Sequence, residues 1–178
     1  MGRRSAASAA GITAAAALFV CATPAHAREA KPWQVGAGAG AIISDGGAGP
    51  AFVAQGTYSL GSFFDAMVDL TFAFPRRDGL ASYQLMPSAG FLYKLDVFQW
   101  VPYAGALMGY SWFRQNSTGL TLGGPVLSVP FGLDYVFDGS LSVGVQGGYH
   151  WLLLSPDPAI VDRNLWTVIA RAEYRFGW

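Results

Sequence analysis

Arg171–Trp178 reads RAEYRFGW, and its strict alternation of charged and aromatic residues decides the reading of the whole chain. A period of two places Arg171, Glu173 and Arg175 on one face of a strand and Tyr174, Phe176 and Trp178 on the other. A strand in water has no use for a face of large rings up to its end. One whose two sides meet different solvents, lipid outside and a polar lumen inside, needs that division.

The same period recurs upstream. Eight segments of about ten residues, near 33–43, 51–60, 63–74, 82–94, 100–113, 124–137, 140–153 and 164–178, are separated by Gly, Pro, Asp and Asn. About ten residues is the length of a tilted strand that crosses a bilayer, and an even strand number suits a bacterial single-chain barrel. In the third segment Phe64, Ala66, Val68, Leu70, Phe72 and Phe74 oppose Asp65, Asp69 and Thr71. In the seventh, Val143, Val145, Tyr149 and Trp151 oppose Ser142, Gln146 and His150. The connections alternate too: short turns at 61–62, 96–99 and 138–139, longer loops between them, as expected for periplasmic and outer ends. The expected fold class is therefore all-β, an eight-stranded antiparallel up-and-down transmembrane β-barrel.

The N-terminus supports export. MGRR is a basic start, AAAALFV is an apolar stretch too short to span a bilayer, and Ala25–Ala27 (AHA) has the small-x-small pattern of a cleavage site. Residues 1–27 read as a secretory signal peptide for the Sec pathway, and 28–178 as the outer-membrane barrel. Cleavage removes Cys21 and His26, leaving no cysteine and one histidine, His150. Disulfides and Cys/His metal sites are thereby excluded, and neither metal nor cofactor is expected. Arg3 and Arg4 also leave, so nine basic residues face eleven acidic ones, a net charge near −2. No basic stripe suggests a nucleic-acid partner.

Taken together, the chain resembles small eight-stranded outer-membrane barrels of the OmpA/OmpX-like kind along its whole mature length. The most specific piece is EYRFGW, which is similar to the C-terminal signal of such barrels; Phe is commoner than Trp in the last position. The resemblance implies that Tyr174, Phe176 and Trp178 are read by the barrel-assembly machinery. WVPYAGALMGY at 100–110 is also similar to a strand widespread in these families.

Amphipathic rings favour the membrane interfaces. GYSWF at 109–113 and GYHWL at 148–152 place Tyr110, Trp112, Tyr149 and Trp151 in an outer girdle, with Trp100, Phe98, Phe176 and Trp178 at the opposite rim. By parity Asp65, Asp69, Lys94, Asp134, Arg171, Glu173 and Arg175 point inward. An eight-stranded barrel has a lumen just wide enough for side chains, and buried charges persist there only when paired. These residues are expected to form a salt-bridged plug in the periplasmic half. Uncharged groups such as Gln55, Gln84, Thr71, Ser128, Ser111 and His150 are expected above it, around a shallow outer vestibule.

Enzymatic chemistry finds little support. Lipid A deacylases of the outer membrane carry a His and a Ser two apart on one strand face, whereas Gly148 and Leu152 flank His150 at that spacing. The reading is a non-enzymatic, monomeric outer-membrane barrel with a structural or envelope-interaction role, against a narrow channel or carrier and a lipid-modifying enzyme. Arg76 and Arg77, in PRRD at 75–78, are placed to contact lipopolysaccharide phosphates, or else to pair with Asp78.

Overall fold

The computed structural model describes residues 31–77, 80–95, 99–115, 119–137, 140–153 and 162–177. The expected signal peptide and Trp178 lie outside them, as do Phe98 and Asp78. Nine strands form in chain order: β1 (Trp33–Ser44), β2 (Gly47–Ser59), β3 (Phe64–Ala73), β4 (Arg76–Arg77), β5 (Leu80–Lys94), β6 (Trp100–Gln115), β7 (Thr121–Val136), β8 (Leu141–Leu152) and β9 (Asn164–Phe176). Eight of them make the wall. β4 is a two-residue spur that pairs with the outer end of β5.

Every neighbouring pair is antiparallel, and two pairings turn the sheet into a barrel. β1 meets β9, with Trp33 opposite Phe176 and Ser44 opposite Leu165. β3 meets β5, with Phe64 opposite Tyr93 and Ala73 opposite Gln84. Among the described residues the eight wall strands thus each pair on both sides, as a bilayer demands because lipid cannot satisfy backbone groups.

Burial follows the two-residue period that the sequence announced. In β9 each odd-numbered residue from Leu165 to Arg175 is buried and each even-numbered one from Asn164 to Phe176 is exposed. The exposed set is apolar: Val68 is 60% exposed, Phe91 61%, Met108 65% and Val145 55%. Such a surface is stable only against hydrocarbon. Trp166 and Phe176 bracket the belt on β9; ten residues at about 3.3 Å each, tilted about 45°, give roughly 23 Å of height, matching the apolar band of such barrels.

One expected boundary moves. The sequence pattern starts the second segment at residue 51, after a longer first outer loop. Instead β2 starts at Gly47, and only Asp45 and Gly46 separate it from β1. Small residues hid this extension, because Gly47, Ala48, Gly49 and Pro50 carry no face pattern. Gly47 has a φ of 144°, a backbone state side chains resist, and the turn closes there.

Candidate functional site

The lumen gathers the polar chemistry of the chain, in three tiers. The lowest is built around Asp65, on β3 near the periplasmic rim. Its Oδ2 lies 2.6 Å from Lys94 Nζ of β5. Its Oδ1 accepts from Ser59 Oγ at 2.7 Å, and Gln34 Nε2 approaches Oδ2 at 3.4 Å. Lys94 also donates to Ser59 Oγ at 3.1 Å.

The second tier centres on Arg171 of β9. Its guanidinium is bidentate to Asp134 of β7, Nε to Oδ1 at 3.1 Å and Nη2 to Oδ2 at 2.5 Å. Nη1 reaches Glu173 Oε1 and Gln146 Oε1, each at 3.0 Å. The Tyr103 ring lies 4.3 Å from Arg171 Cζ, a cation–π contact, and its hydroxyl donates to Gln146 at 3.3 Å. Gln55 Nε2 donates to Glu173 Oε1 at 3.0 Å. A planar fork with five donors is the side chain that can hold two carboxylates at once.

Glycine makes this crowding possible. Asp134 stands opposite Gly144, and Tyr103 opposite Gly132. A Cβ at Gly144 would overlap Asp134 and one at Gly132 would overlap the Tyr103 ring; at Gly36 it would sit 2.8 Å from Glu173 Cγ. With the large groups fitted this way, only about 10 Å³ stays free among Gln34, Asp65, Lys94, Tyr103, Asp134, Arg171, Glu173 and Arg175. That is at or below the space one water needs.

Of the seven charges expected inside, Asp65 pairs with Lys94, and Arg171 pairs with Asp134 and Glu173, while Arg175 is buried beside them. Asp69 stands outside the ion-pair network of the described residues: its Oδ1 accepts from Thr71 Oγ1 at 2.8 Å and its Oδ2 has no hydrogen-bond partner. Parity put Asp69 in the lumen correctly, but parity is blind to reach. Arg171 is already occupied by Asp134 and Glu173.

The third tier overturns an expectation. Instead of a polar vestibule, Ile42, Ala51, Val53, Ala73, Met86, Phe113, Val126, Leu152, Leu165 and Ile169 pack as a buried apolar cluster across the outer half. Gln84, Ser111, Ser128, Thr167 and His150 are embedded in it and pair among themselves. Gln84 Nε2 donates to Ser111 Oγ at 2.8 Å. The two nitrogens of His150 meet Ser128 Oγ at 2.8 Å and Thr167 Oγ1 at 3.0 Å. Ile42, Leu165 and Ile169 share the inward face with these polar residues, so the face is mixed and not polar.

A serine does meet His150, but from the neighbouring strand and not two residues along the same one. Ser128 is 3% exposed, His150 6% and Thr167 3%, inside the wall and away from lipid.

The rings sit where amphipathic groups belong. Trp112, Tyr110 and Trp151 face outward at the outer interface, Tyr149 is half-buried there, and Trp166 joins them. Trp100, Phe176 and Tyr174 face outward at the other rim. There Trp33 and Tyr58, which the weak pattern of the first strand hid, add a ring pair with centroids 4.7 Å apart. Arg76 projects outward above Phe74, while the Arg77 side chain lies outside what is described.

No family model matches the chain, and no curated protein matches it. Solved structures do, and they define the class by fold. Neisserial surface protein A is 15% identical with a TM-score of 0.69, the match covering 83% of this chain and 98% of that one. The N-terminal β-barrel domain of Pseudomonas aeruginosa OprF is 10% identical with a TM-score of 0.60, covering 83% and 100%. The outer membrane enzyme PagL is 16% identical with a TM-score of 0.51, covering 80% and 99%. The chain has the fold of small eight-stranded transmembrane barrels of the bacterial outer membrane, so the OmpA/OmpX-like resemblance holds at the level of architecture.

Proposed function

We propose that this chain is an integral, monomeric protein of the bacterial outer membrane, exported through the Sec pathway, with a structural or envelope-interaction role and no solute path. The observations that support this most are the cavity of only about 10 Å³ among the ion pairs and the cluster of buried apolar side chains above it. Moving an ion through would mean breaking buried charge pairs and then crossing a layer of apolar side chains, each costing several kcal/mol. In planar bilayers the purified barrel is expected to show no discrete openings. Stable openings whose size changes on substituting Arg171 or Asp69 would establish the channel reading instead.

Tyr174 and Phe176 are exposed on the lipid side of β9, next to the β1–β9 closure. In this reading they and Trp178 form the assembly signal. Deleting residues 176–178 is expected to abolish the folded, heat-modifiable form in outer-membrane fractions, while Trp178→Phe keeps it. Equal folding of the truncated chain would remove the signal role.

A second reading, lipid modification, has a specific observation behind it: the Ser128–His150 contact, in a fold shared with an outer membrane enzyme. A nucleophile and base must reach substrate, and both groups are buried in the lumen. Lipid A of unchanged mass on expression is therefore the expected result.

A further inference from the structure

We infer that Asp69 is a proton-binding site of the lumen: in mild acid its Oδ2 carries a hydrogen and donates it to Gln55 Oε1. The neutral acid then links β3, through β2, to the tier around Arg171.

Hydrogen bonding supplies the first observation. Asp69 on β3 and Gln55 on β2 stand directly opposite each other, and both are inside the lumen, 7% and 6% exposed. Each has one end fixed. Asp69 Oδ1 accepts from Thr71 Oγ1 at 2.8 Å, and Gln55 Nε2 donates to Glu173 Oε1 at 3.0 Å, which orients the amide. The other ends, Asp69 Oδ2 and Gln55 Oε1, are buried and have no hydrogen-bond partner among the described residues. Two acceptors cannot satisfy each other. A hydrogen on Oδ2 turns one of them into a donor, and opposite side chains with Cβ atoms about 5 Å apart are near enough for that bond.

Charge supplies the second, independent observation. The buried charged side chains of the described lumen are the acids Asp65, Asp69, Asp134 and Glu173 and the bases Lys94, Arg171 and Arg175. Asp65 pairs with Lys94, while Asp134 and Glu173 share Arg171. Asp69 belongs to none of these pairs, and with a proton on it three acids stand against three bases.

The groups around Asp69 do not replace that proton. Its partner on β5 is Ser88, and β1 brings Gln34 and Gly36 to the inner face. From β6 comes the Tyr103 phenol, which donates to Gln146 of β8. Asp134 of β7 and Glu173 of β9 are themselves acids, both already on Arg171. His150 of β8 lies a tier higher, between Ser128 and Thr167. An ionised carboxylate with one hydroxyl donor in so dry a space is disfavoured against its neutral form. The proton is taken from water as the chain folds. When it leaves, a third carboxylate joins the two around Arg171, and the barrel weakens.

The test is infrared spectroscopy of the full mature barrel in a non-ionic detergent at about pH 5, where a free aspartate side chain is mostly ionised. Expected is the C=O band of one protonated carboxyl, moved by carbon-13 labelling of aspartate, lost in Asp69→Asn and shifted in Gln55→Leu. Asparagine has the shape of the neutral acid and offers an N–H to Gln55, so that variant is expected to fold. The carbon-13 label assigns the band to aspartate even where a variant does not fold. Urea unfolding gives a second readout, because the wild type releases a proton on unfolding and Asp69→Asn does not. The ratio of their unfolding constants, wild type over variant, should therefore rise several-fold from about pH 4.5 to about pH 5.5. Absence of an aspartate carboxyl band, or a ratio that stays constant with pH, overturns the proposal. So does stabilisation by sodium over choline that Asp69→Asn abolishes, which would place a metal ion between the two oxygens instead.

Discussion

Replacing Arg171 with alanine is expected to destabilise the barrel by about 3–5 kcal/mol, the cost of leaving buried carboxylates without their cation. Arg171 is 5% exposed and joins Asp134, Glu173, Gln146 and the Tyr103 ring, on β6, β7, β8 and β9. Removing it strands two acids in a space with no room for water to replace the guanidinium. Lysine in its place keeps the charge but loses the bidentate fit to Asp134, so Arg171→Lys should recover only part of the loss. The triple variant Arg171→Met, Asp134→Asn, Glu173→Gln removes the charges together and should fall much closer to wild type, since a buried pair is worth little relative to a neutral packing. Equilibrium urea unfolding of the barrel in lipid vesicles measures all three. An Arg171→Ala loss below about 1 kcal/mol, within the range of an exposed pair, would show that the plug is hydrated.

How far the sequence discloses this arrangement depends on which physical rule governs each residue. Facing is set by the pleat alone, so the inward set from Asp65 to Arg175 and the outward rings from Phe64 to Trp166 are legible from a period of two. Strand count follows from the same rule. Pairing across the lumen depends on register and side-chain reach, which no local pattern encodes. Asp69 and Arg171 share the lumen, yet Asp69 makes no ion pair with it among the described residues. Gln34, Tyr103 and Gln146 enter the network through contacts spanning 25 to 43 residues in sequence. Tyr103 was discoverable, because it shares a face with Val101 and Leu107 and stands opposite Gly132. The apolar outer tier was equally open to reading, since Ile42, Leu165 and Ile169 alternate with outward residues. Its residues have the same apolar composition as the lipid-facing belt, so only the parity of each strand separates the two.

Reversing the solvent preference of the outer face should produce the other large effect, and it tests the membrane reading directly. Val145 lies on β8 between Leu141, near the periplasmic girdle, and Trp151, at the outer one, and is 55% exposed. In water, Val145→Arg on an exposed strand face would change stability by little, about 0.5 kcal/mol or less. At the midplane of a bilayer the same arginine is expected to cost about 2–4 kcal/mol. Leu141→Arg, four residues toward the rim and 42% exposed, should cost only about 0–1 kcal/mol, because its guanidinium reaches the headgroup layer. The depth dependence is the decisive quantity. A β-sandwich in water would show no difference between two exposed arginines on one strand, whereas hydrocarbon outside the wall imposes a gap of at least 1–2 kcal/mol between them. Urea unfolding in vesicles of defined thickness provides the comparison, and thinner bilayers should narrow the gap by bringing the headgroups closer to Val145. Equal costs at the two positions would mean that the belt of Val68, Phe91, Met108 and Val145 faces something other than lipid.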